Sequence, residues 1–298
     1  MRYDGGHKRD PFLVETVGRF VEWVKVCPEV ECGMDTPREA VRLVGDGNRL
    51  RLLTVTTGID HTETMTAYAG RRVEELASDD LCGYVLKGHS PSCGMEQVPV
   101  HGVSGPATRF GRGLFAATLM ERHPELPVED EARLAERPLC EHFIERVFAY
   151  RRLRDLFKGR WTHGDLVVFH AKQRLALMVH APQAYERLGR LVAQAGSMPP
   201  EAVHARYGAD FMNSLAVMAT PRRHARVLRH IAGSVTARLE DGARRELLKT
   251  IEDYRLGLLP LSSPLMLARQ YVRVHDVPAL AGQSYLDPHP AELLAHRT

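Results

Sequence analysis

The sequence LCGYVLKGHSPSCGMEQVPV, residues 81–100, determines the fold predicted for the N-terminal half of this chain. Its first six residues are mostly apolar and predict a strand, and the Pro- and Gly-containing residues after them predict a loop that holds Cys93. VCPEVECGMDTPRE (26–39) is organised in the same way, because the apolar run 21–26 predicts a strand that leads into Cys27. Ligands bind at the carboxyl ends of strands in open α/β sheets, so we expect the two thiols to meet there.

Strand and helix patterns alternate up to about residue 130. Residues 36–44 predict a short helix opened by a Thr-Pro pair, 49–57 predict a strand with β-branched residues, and 61–77 predict a helix. This alternation is typical of parallel βαβ units. We therefore predict an α/β domain with three layers and a parallel sheet over residues 1–158.

The rest of the chain has helical periodicity and few β-branched runs. Residues 131–160 predict a helix that is interrupted near Pro138. The later helices are predicted over residues 164–180, 182–195, 200–219, 221–239, 241–258 and 264–274. We therefore predict a separate all-α domain over residues 161–298.

The cysteines and the apolar runs limit the class of protein. The chain has five cysteines, an odd number, and its N-terminal residues are polar and charged. No apolar stretch approaches the roughly 20 residues that a membrane span requires. We therefore expect a cytoplasmic protein without membrane association, in which loop cysteines serve metal binding or catalysis more often than disulfides. The sequence does not determine the oligomeric state.

The net charge of +3 is unevenly distributed along the chain. Residues 1–160 carry 23 Lys and Arg against 25 Asp and Glu, whereas residues 161–298 carry 17 against 12. The positive charge of the second part indicates an anionic partner.

One predicted helix carries a stripe of arginines. Arg222, Arg226 and Arg229 share one face at spacings i, i+4 and i+7, and residues 211–239 contain no Asp or Glu. A charge run is most often a solvated helix face, but an unpaired stripe is what contact with phosphates requires. We therefore predict that these three arginines bind RNA. His170 and His180 lie in a strongly apolar segment and are interpreted as packing or polar-network residues.

Cys27 and Cys93 are the candidate metal ligands. Glu29 follows Cys27 by two residues and Ser90 precedes Cys93 by three, with Ser92 between them. Carboxylate and hydroxyl groups placed beside a metal can orient or deprotonate a water molecule, so Glu29 and Ser90 are the candidate catalytic residues. The alternative interpretation is ordinary: buried structural thiols, and turn or capping residues beside them.

The other three cysteines are less informative. Cys82 in a predicted strand and Cys140 in a predicted helix are interpreted as structural thiols. Cys32 stays open, because its four-residue spacing from Cys27 is not a strong zinc signature.

Four motifs occur together in the order that one known family shows: RYDGGHKRD (2–10), VCPEVECGMDTPRE, GIDHT (58–62) and KGHSPSCGME (87–96). With these motifs the first half of the chain resembles the thiouracil desulfidase family of the TudS type. From residue 166 onward the chain resembles the YbgA-like helical domain that is often fused to it. The fused arrangement resembles the RudS type, which removes sulfur from 4-thiouridine in tRNA.

The resemblance implies a cofactor and a set of site residues. Members of the family hold a 4Fe-4S cluster through three cysteines and leave one iron open to the sulfur of the substrate. Cys27 and Cys93 match two of these cysteines, and Glu29 and Ser90 match residues that assist the attack of water. The third cysteine belongs to a Ser-x-Cys-Leu-Leu-Gly motif before the first one quoted above, and this sequence begins at Met1 without it.

The missing motif leads to an expectation about the cluster. Either translation begins upstream of Met1, or the chain holds a cluster poorly unless Cys32 supplies the third ligand. The expected reaction is hydrolytic desulfuration of a thiolated uracil, with tRNA or a thiolated nucleobase as the partner. Two alternatives stay open. One is a non-catalytic nucleic-acid-binding or regulatory protein with a zinc or degenerate cluster site, and the other is a desulfidase of free thiobases only.

Overall fold

A computed structural model describes residues 4, 6, 9–45, 49–102, 107–290 and 292–295 of the protein. The chain divides into two units, one formed by Met1–Val147 with Glu292–Thr298 and the other by Phe148–Ala291. The first combines strands and helices, and the second is mostly helical. The predicted fold class, α/β followed by helices, is therefore confirmed.

The described part of the first unit contains six strands: β1 (Val41–Gly45), β2 (Leu50–Thr54), β3 (Tyr84–Leu86), β4 (Val98–His101), β5 (Ala107–Gly111) and β6 (Val128–Asp130). Four of them form a sheet in the order β2-β1-β4-β5, and β3 pairs with β6. The β1–β4 and β3–β6 pairs are parallel, whereas β2 and β5 run antiparallel to their neighbours. The larger sheet is thus mixed, and only part of it is parallel as the sequence predicts.

Two predicted elements of this unit are wrong. Residues 21–26 form no strand, and Trp23 and Val24 are 40% and 41% exposed, so no sheet buries this apolar run. The helix predicted over 36–44 is replaced by irregular chain followed by β1. Leu43 and the residues beside it occupy the centre of the sheet, and this tertiary burial outweighs the local Thr-Pro signal.

Three helices of the first unit bear on the site: α1 (Pro28–Glu31), α2 (Thr62–Leu76) and α3 (Leu114–Arg122). The helix predicted over 61–77 is confirmed by α2. Its buried face follows helical spacing, because Met65, Ala69, Val73 and Leu76 are each at most 1% exposed.

The helical region begins with α4 (Arg137–Phe157), and the boundary between the two units falls within it. Pro138 is the second residue of α4, where proline is tolerated, so it does not interrupt the helix as predicted. The helices that follow are α5 (His163–Lys172), α6 (Arg174–His180), α7 (Pro182–Gln194), α8 (Pro200–Leu215), α9 (Pro221–Val235), α10 (Asp241–Arg255) and α11 (Ser262–Val274), and α12 (Glu292–Ala295) belongs to the first unit. The single helix predicted over 164–180 is two helices that meet at Gln173.

Across the described ranges, no helix has both the length and the apolar character needed to cross a membrane.

Candidate functional site

Cys27 lies immediately before α1, in an extended conformation with φ −123° and ψ 91°. Pro28 begins the helix, a position where the missing amide proton costs nothing. The backbone N–H of Cys27 donates a hydrogen bond of 2.7 Å to Oε1 of Glu31, one turn further on. Residues Cys27 to Glu31 therefore form a short helical turn with Cys27 at its start.

Cys93 lies in a tight turn that a serine organises. The hydroxyl oxygen of Ser90 accepts hydrogen bonds from the amides of Cys93 (3.1 Å) and Ser92 (3.3 Å). The amide of Gly94 donates to the carbonyl of Ser90 at 2.7 Å and closes the turn. Serine is favoured before such a turn because its short side chain reaches the amides two and three residues on.

The start of α3 supports this turn from the other side. The amides of Phe115 and Ala116 donate to the carbonyl of Ser92 at 3.0 and 3.2 Å. A Cβ atom on Gly113 would lie 2.5 Å from the carbonyl carbon and oxygen of Ser92 and 2.7 Å from the amide nitrogen of Cys93. Only glycine lets the two backbones approach this closely, so Gly113 is part of the framework of the site.

Glu29 links the two cysteine-bearing segments. The Ser92 hydroxyl donates a hydrogen bond of 2.9 Å to Oε1 of Glu29. Arg38 binds the other carboxylate oxygen through Nη2 and through Nε, the latter at 3.1 Å. The side chains of Arg38 and Glu29 are only 6% and 15% exposed, so this ion pair is largely shielded from water. The carboxylate is thus held in one position by donors on both oxygens.

Cys27 lies close enough to Cys93 for its charge to act on the Cys93 thiol, although more than sixty residues separate the two in the sequence. Burial raises the pKa of the Cys93 thiol, and negative charge on Glu29 and on Cys27 raises that pKa further. The Ser90 hydroxyl acts in the opposite direction, because its hydrogen bond to the Cys93 sulfur lowers that pKa. Cys27, Glu29 and Ser90 therefore all lie within interaction range of Cys93.

The thiol of Cys32 contacts a backbone carbonyl three residues earlier in the chain. Its Sγ donates a hydrogen bond of 3.3 Å to the carbonyl of Glu29, and burial raises its pKa. Arg2 and Tyr3 of the N-terminal motif lie outside the described residues. Within the described ranges, no group of three or more His, Cys, Asp or Glu side chains is arranged to hold a metal ion. Thiolates are the ligands of iron–sulfur clusters, so Cys27 and Cys93 fit as part of a cluster site.

Sequence reasoning missed a second polar group beside Cys27. The Tyr68 hydroxyl on α2 donates a hydrogen bond of 2.6 Å to Oε2 of Glu31, and Arg72 Nε lies 3.6 Å from the same oxygen. Burial, followed by the hydrogen bond to Glu31, raises the pKa of Tyr68. Glu31 thus supports the amide of Cys27 from one side and is held by α2 on the other. The α2 pattern marks Tyr68 only as a core residue, so nothing in the sequence pairs it with Glu31.

Arg38 was missed as well, although a signal for it existed. It lies in the quoted VCPEVECGMDTPRE segment, nine residues after Glu29. A single arginine close to a candidate catalytic carboxylate in a short loop segment indicates an ion pair.

In the helical unit, Arg222, Arg226 and Arg229 are all exposed on α9, as their spacing predicts. The stripe is not entirely unpaired, however, because Arg229 Nη2 lies 2.5 Å from Oε2 of Glu252 on α10. Residues 211–239 contain no Asp or Glu, but the neighbouring helix α10 provides the Glu252 carboxylate. In the described part of the chain, Arg222 and Arg226 form no ion pair.

The two histidines of the apolar segment belong to polar networks, as interpreted from the sequence. His170 Nδ1 lies 3.2 Å from the Tyr207 hydroxyl, and its ring stacks on Tyr185 with centroids 4.8 Å apart. His180 Nδ1 lies 2.7 Å from the carbonyl oxygen of Val217.

Comparisons with known proteins match the two parts of the chain to two different families. Residues 1–131 match the family described as 2-thiouracil desulfurase, and residues 174–290 match a family described as a protein of unknown function (DUF1722). The uncharacterized protein YbgA of Escherichia coli (strain K12) is 30% identical over 146 residues, which are 49% of this chain and 86% of YbgA.

A second relative is the uncharacterized protein YbbK of Bacillus subtilis (strain 168), 27% identical over 135 residues, which are 44% of this chain and 88% of YbbK. No solved structure matches the chain. The chain therefore belongs to the YbgA family and joins an N-terminal domain of the 2-thiouracil desulfurase family to a C-terminal DUF1722 domain.

Proposed function

We propose that the protein is an iron–sulfur-dependent hydrolytic desulfidase that removes sulfur from a thiolated uracil, with 4-thiouridine in tRNA as the substrate. The observation that carries this proposal is the hydrogen bond from Ser92 to Glu29. It joins the two cysteine-bearing segments in a domain that belongs to a desulfurase family. The reaction replaces the thiocarbonyl sulfur by the oxygen of water and changes no oxidation state.

Glu29 is the proton acceptor in this proposal. Ser92 donates to one of its oxygens and Arg38 to the other, so the orientation of the carboxylate is fixed. A fixed carboxylate can accept a proton from the water that attacks the thiocarbonyl carbon. The water oxygen bonds to the carbon, the carbon–sulfur bond then breaks, and sulfur leaves as hydrosulfide with the second proton of the water.

Ser90 assists from the turn that holds Cys93. Its oxygen already accepts from two backbone amides, so its own proton is available to the Cys93 sulfur or to a substrate. Cys27 and Cys93 would hold the cluster, and a bound cluster supplies a soft iron centre for the departing sulfur.

The helical domain is proposed to bind the RNA backbone. Arg222 and Arg226 are exposed on α9 and form no ion pair among the described residues, so both charges are available to phosphates. Such contacts position a nucleic acid without selecting a base, and selection is left to the pocket in the first domain.

The test is sulfide release by iron-reconstituted protein from a free thiouracil and from tRNA that contains 4-thiouridine. Glu29→Gln should abolish release and leave the iron content unchanged. Glu63→Gln, on the exposed surface of α2, is the matched control and should behave like the wild type. No release from either substrate by iron-loaded wild type would contradict the desulfidase proposal. tRNA binding without release would then favour a non-catalytic RNA-binding protein.

The same experiment tests the helical domain. Changing Arg222 and Arg226 to Glu should weaken tRNA binding and lower its salt dependence by about one unit for each phosphate that the protein no longer binds. Release from free thiouracil should not change. Unchanged tRNA affinity would contradict the role of this face and favour an enzyme that acts on free thiobases.

A further inference from the structure

The two faces of the four-stranded sheet differ in burial. Successive residues of a strand point to opposite faces, and paired residues on neighbouring strands share a face. The register aligns Leu43 with Val100 and with Leu52, and these three side chains are at most 1% exposed. This face is the buried one.

The opposite face is covered unevenly, because Val44 at its centre is only 2% exposed whereas residues toward its edges are more exposed. Phe110 pairs with Pro99, and Val44 on the same side pairs with His101. We name as the open face the partly or fully exposed residues on this side of the sheet: Arg42, Arg51, Leu53, Pro99, His101 and Phe110.

Phe110 is the most exposed residue of the open face. Its side chain is 69% exposed, on β5 at the edge of the sheet. Burying a phenylalanine side chain contributes about 1.5–3 kcal/mol, so this aromatic ring offers considerable contact area to a partner. Isolated exposed apolar residues are common, and the residues around the ring therefore decide whether it can serve a partner.

The surroundings are positively charged. None of the four strands contains Asp or Glu. Arg42 on β1 forms no ion pair within the described ranges, and Arg51 on β2 has only Asp60 at 3.8 Å, in a pair that is about half exposed. An exposed pair of this kind contributes little, so the Arg51 guanidinium is available to an anion. Arg42 is only partly exposed, and its Nε is buried. The open face thus combines cations with an exposed aromatic ring.

That combination fits one class of partner, single-stranded nucleic acid. Bases stack on aromatic side chains of open sheets, while arginines beside them bind the phosphates. A protein partner would need a larger apolar area, and the open face offers one large exposed apolar side chain. Charge and chemistry together favour RNA as the occupant.

The open face adjoins the candidate site through β5. Phe110 precedes Gly113 by three residues, which is about 10 Å of extended chain. The amide of Gly113 donates to the carbonyl of Gly94 at 2.9 Å, and Arg112 Nε donates to the carbonyl of Met95 at 2.9 Å. The strand that carries Phe110 is therefore tied to the Cys93 turn.

We propose that the open face binds the single-stranded RNA that flanks the thiolated nucleotide, with Phe110 stacked on a base and Arg42 and Arg51 in contact with phosphates. The identity of this RNA rests on the proposed function, whereas the binding itself can be measured without desulfuration.

The first test measures binding of an unmodified single-stranded RNA oligonucleotide to the full chain by fluorescence anisotropy. Phe110→Ala should weaken binding by about tenfold, the loss expected for one stacked base. Phe110→Trp should bind as the wild type does, and RNA should quench the fluorescence of the new indole. Ile59→Ala is the control, because Ile59 is 55% exposed and lies beyond the opposite edge strand.

The second test changes the charges. Arg42→Gln with Arg51→Gln should lower the salt dependence of binding by about one unit for each phosphate that is no longer bound. Arg71→Gln on α2, whose side chain is 68% exposed, is the control and should leave the slope unchanged. Unchanged RNA affinity in Phe110→Ala, or an indole that RNA does not quench, would overturn the proposal.

Sulfide release from free thiouracil separates this inference from the proposed function. Release that persists in Phe110→Ala while RNA affinity falls supports both. Wild-type protein that binds RNA through Phe110 but releases no sulfide would leave the open face in place and contradict the desulfidase. If the protein releases sulfide but its RNA binding does not depend on Phe110, the RNA-binding role of the open face is contradicted and the desulfidase proposal stands.

Discussion

The hydroxyl of Ser92 and the carboxylate of Glu29 are joined by a hydrogen bond of 2.9 Å across 63 residues of sequence. Ser92 is fully buried and lies next to Cys93, and Glu29 lies two residues from Cys27. This contact therefore joins the segment that carries Cys27 to the segment that carries Cys93. The two serines of this motif make different contacts: Ser90 accepts from the amides of the turn, and Ser92 donates to Glu29.

Replacing Ser92 by alanine tests this positioning. A hydrogen bond to a charged group contributes about 1.5–3 kcal/mol, and its loss leaves the Glu29 carboxylate less well oriented. The rate of desulfuration should therefore fall by at least about tenfold. Iron content should stay near that of the wild type, because both cysteines remain. Ser78→Ala, which removes an exposed hydroxyl after α2, is the control. Equal turnover of wild type and Ser92→Ala would show that Glu29 needs no support from this hydroxyl.

Gly113→Ala should damage the site without touching a polar group. The added Cβ would lie 2.5 Å from the backbone of Ser92, so the Cys93 turn or the start of α3 must shift. We expect a loss of about 1–3 kcal/mol in the free energy of unfolding and reduced iron loading. Gly102→Ala is the matched control, because a Cβ at Gly102 meets no atom of the described residues within 4 Å. A normal melting temperature and normal iron content in Gly113→Ala would contradict the close packing of these two backbones.

The cysteines can be ranked by iron content after anaerobic reconstitution. Cys27→Ser and Cys93→Ser should each bind far less iron, because thiolate donors hold such clusters. Cys82→Ser, whose Sγ lies 3.6 Å from the carbonyl of Asp80, should retain the iron of the wild type. Cys32→Ser decides whether that thiol leaves its bond to Glu29 to act as a third ligand. Wild-type iron content in Cys93→Ser would disprove the cluster assignment.

Much of the candidate site could be located from the sequence because its residues lie in short motifs. Cys27, Glu29, Ser90 and Cys93 are recognisable from spacing and from the residues that break regular structure around them. Periodicity likewise identifies α2, since its apolar residues recur at helical spacing and are buried.

The misses have a common physical cause, which is contact between distant parts of the chain. Residues 36–44 look helical locally, but Leu43 is wholly buried between β2 and β4 and the sheet decides their conformation. Glu252 pairs with Arg229 from α10, and the sequence of α9 alone cannot indicate a partner on another helix. The exposure of Phe110 is equally invisible, because it depends on which face of the sheet remains uncovered.

The last prediction concerns the stability of the helical unit at low pH. Burial lowers the pKa of His170 below its ordinary value of 6.5. As the pH falls through that value, the unfolded chain takes up a proton that the folded chain does not, so protonation favours unfolding and stability falls. His170→Phe should therefore make the free energy of unfolding less dependent on pH. Part of the dependence should remain, because burial and the charge of Arg154 also lower the pKa of His204.

Urea unfolding at about pH 7.5 and about pH 5.5 measures this difference. Trp161 reports on the helical unit, since its ring packs edge-on against Phe157 at 5.1 Å, and a Trp23→Phe background removes the other tryptophan. His230→Phe, at an exposed position of α9, is the control and should keep the full pH dependence of the wild type. If His170→Phe loses as much stability between the two pH values as the wild type does, the buried neutral imidazole is not what weakens this unit in acid.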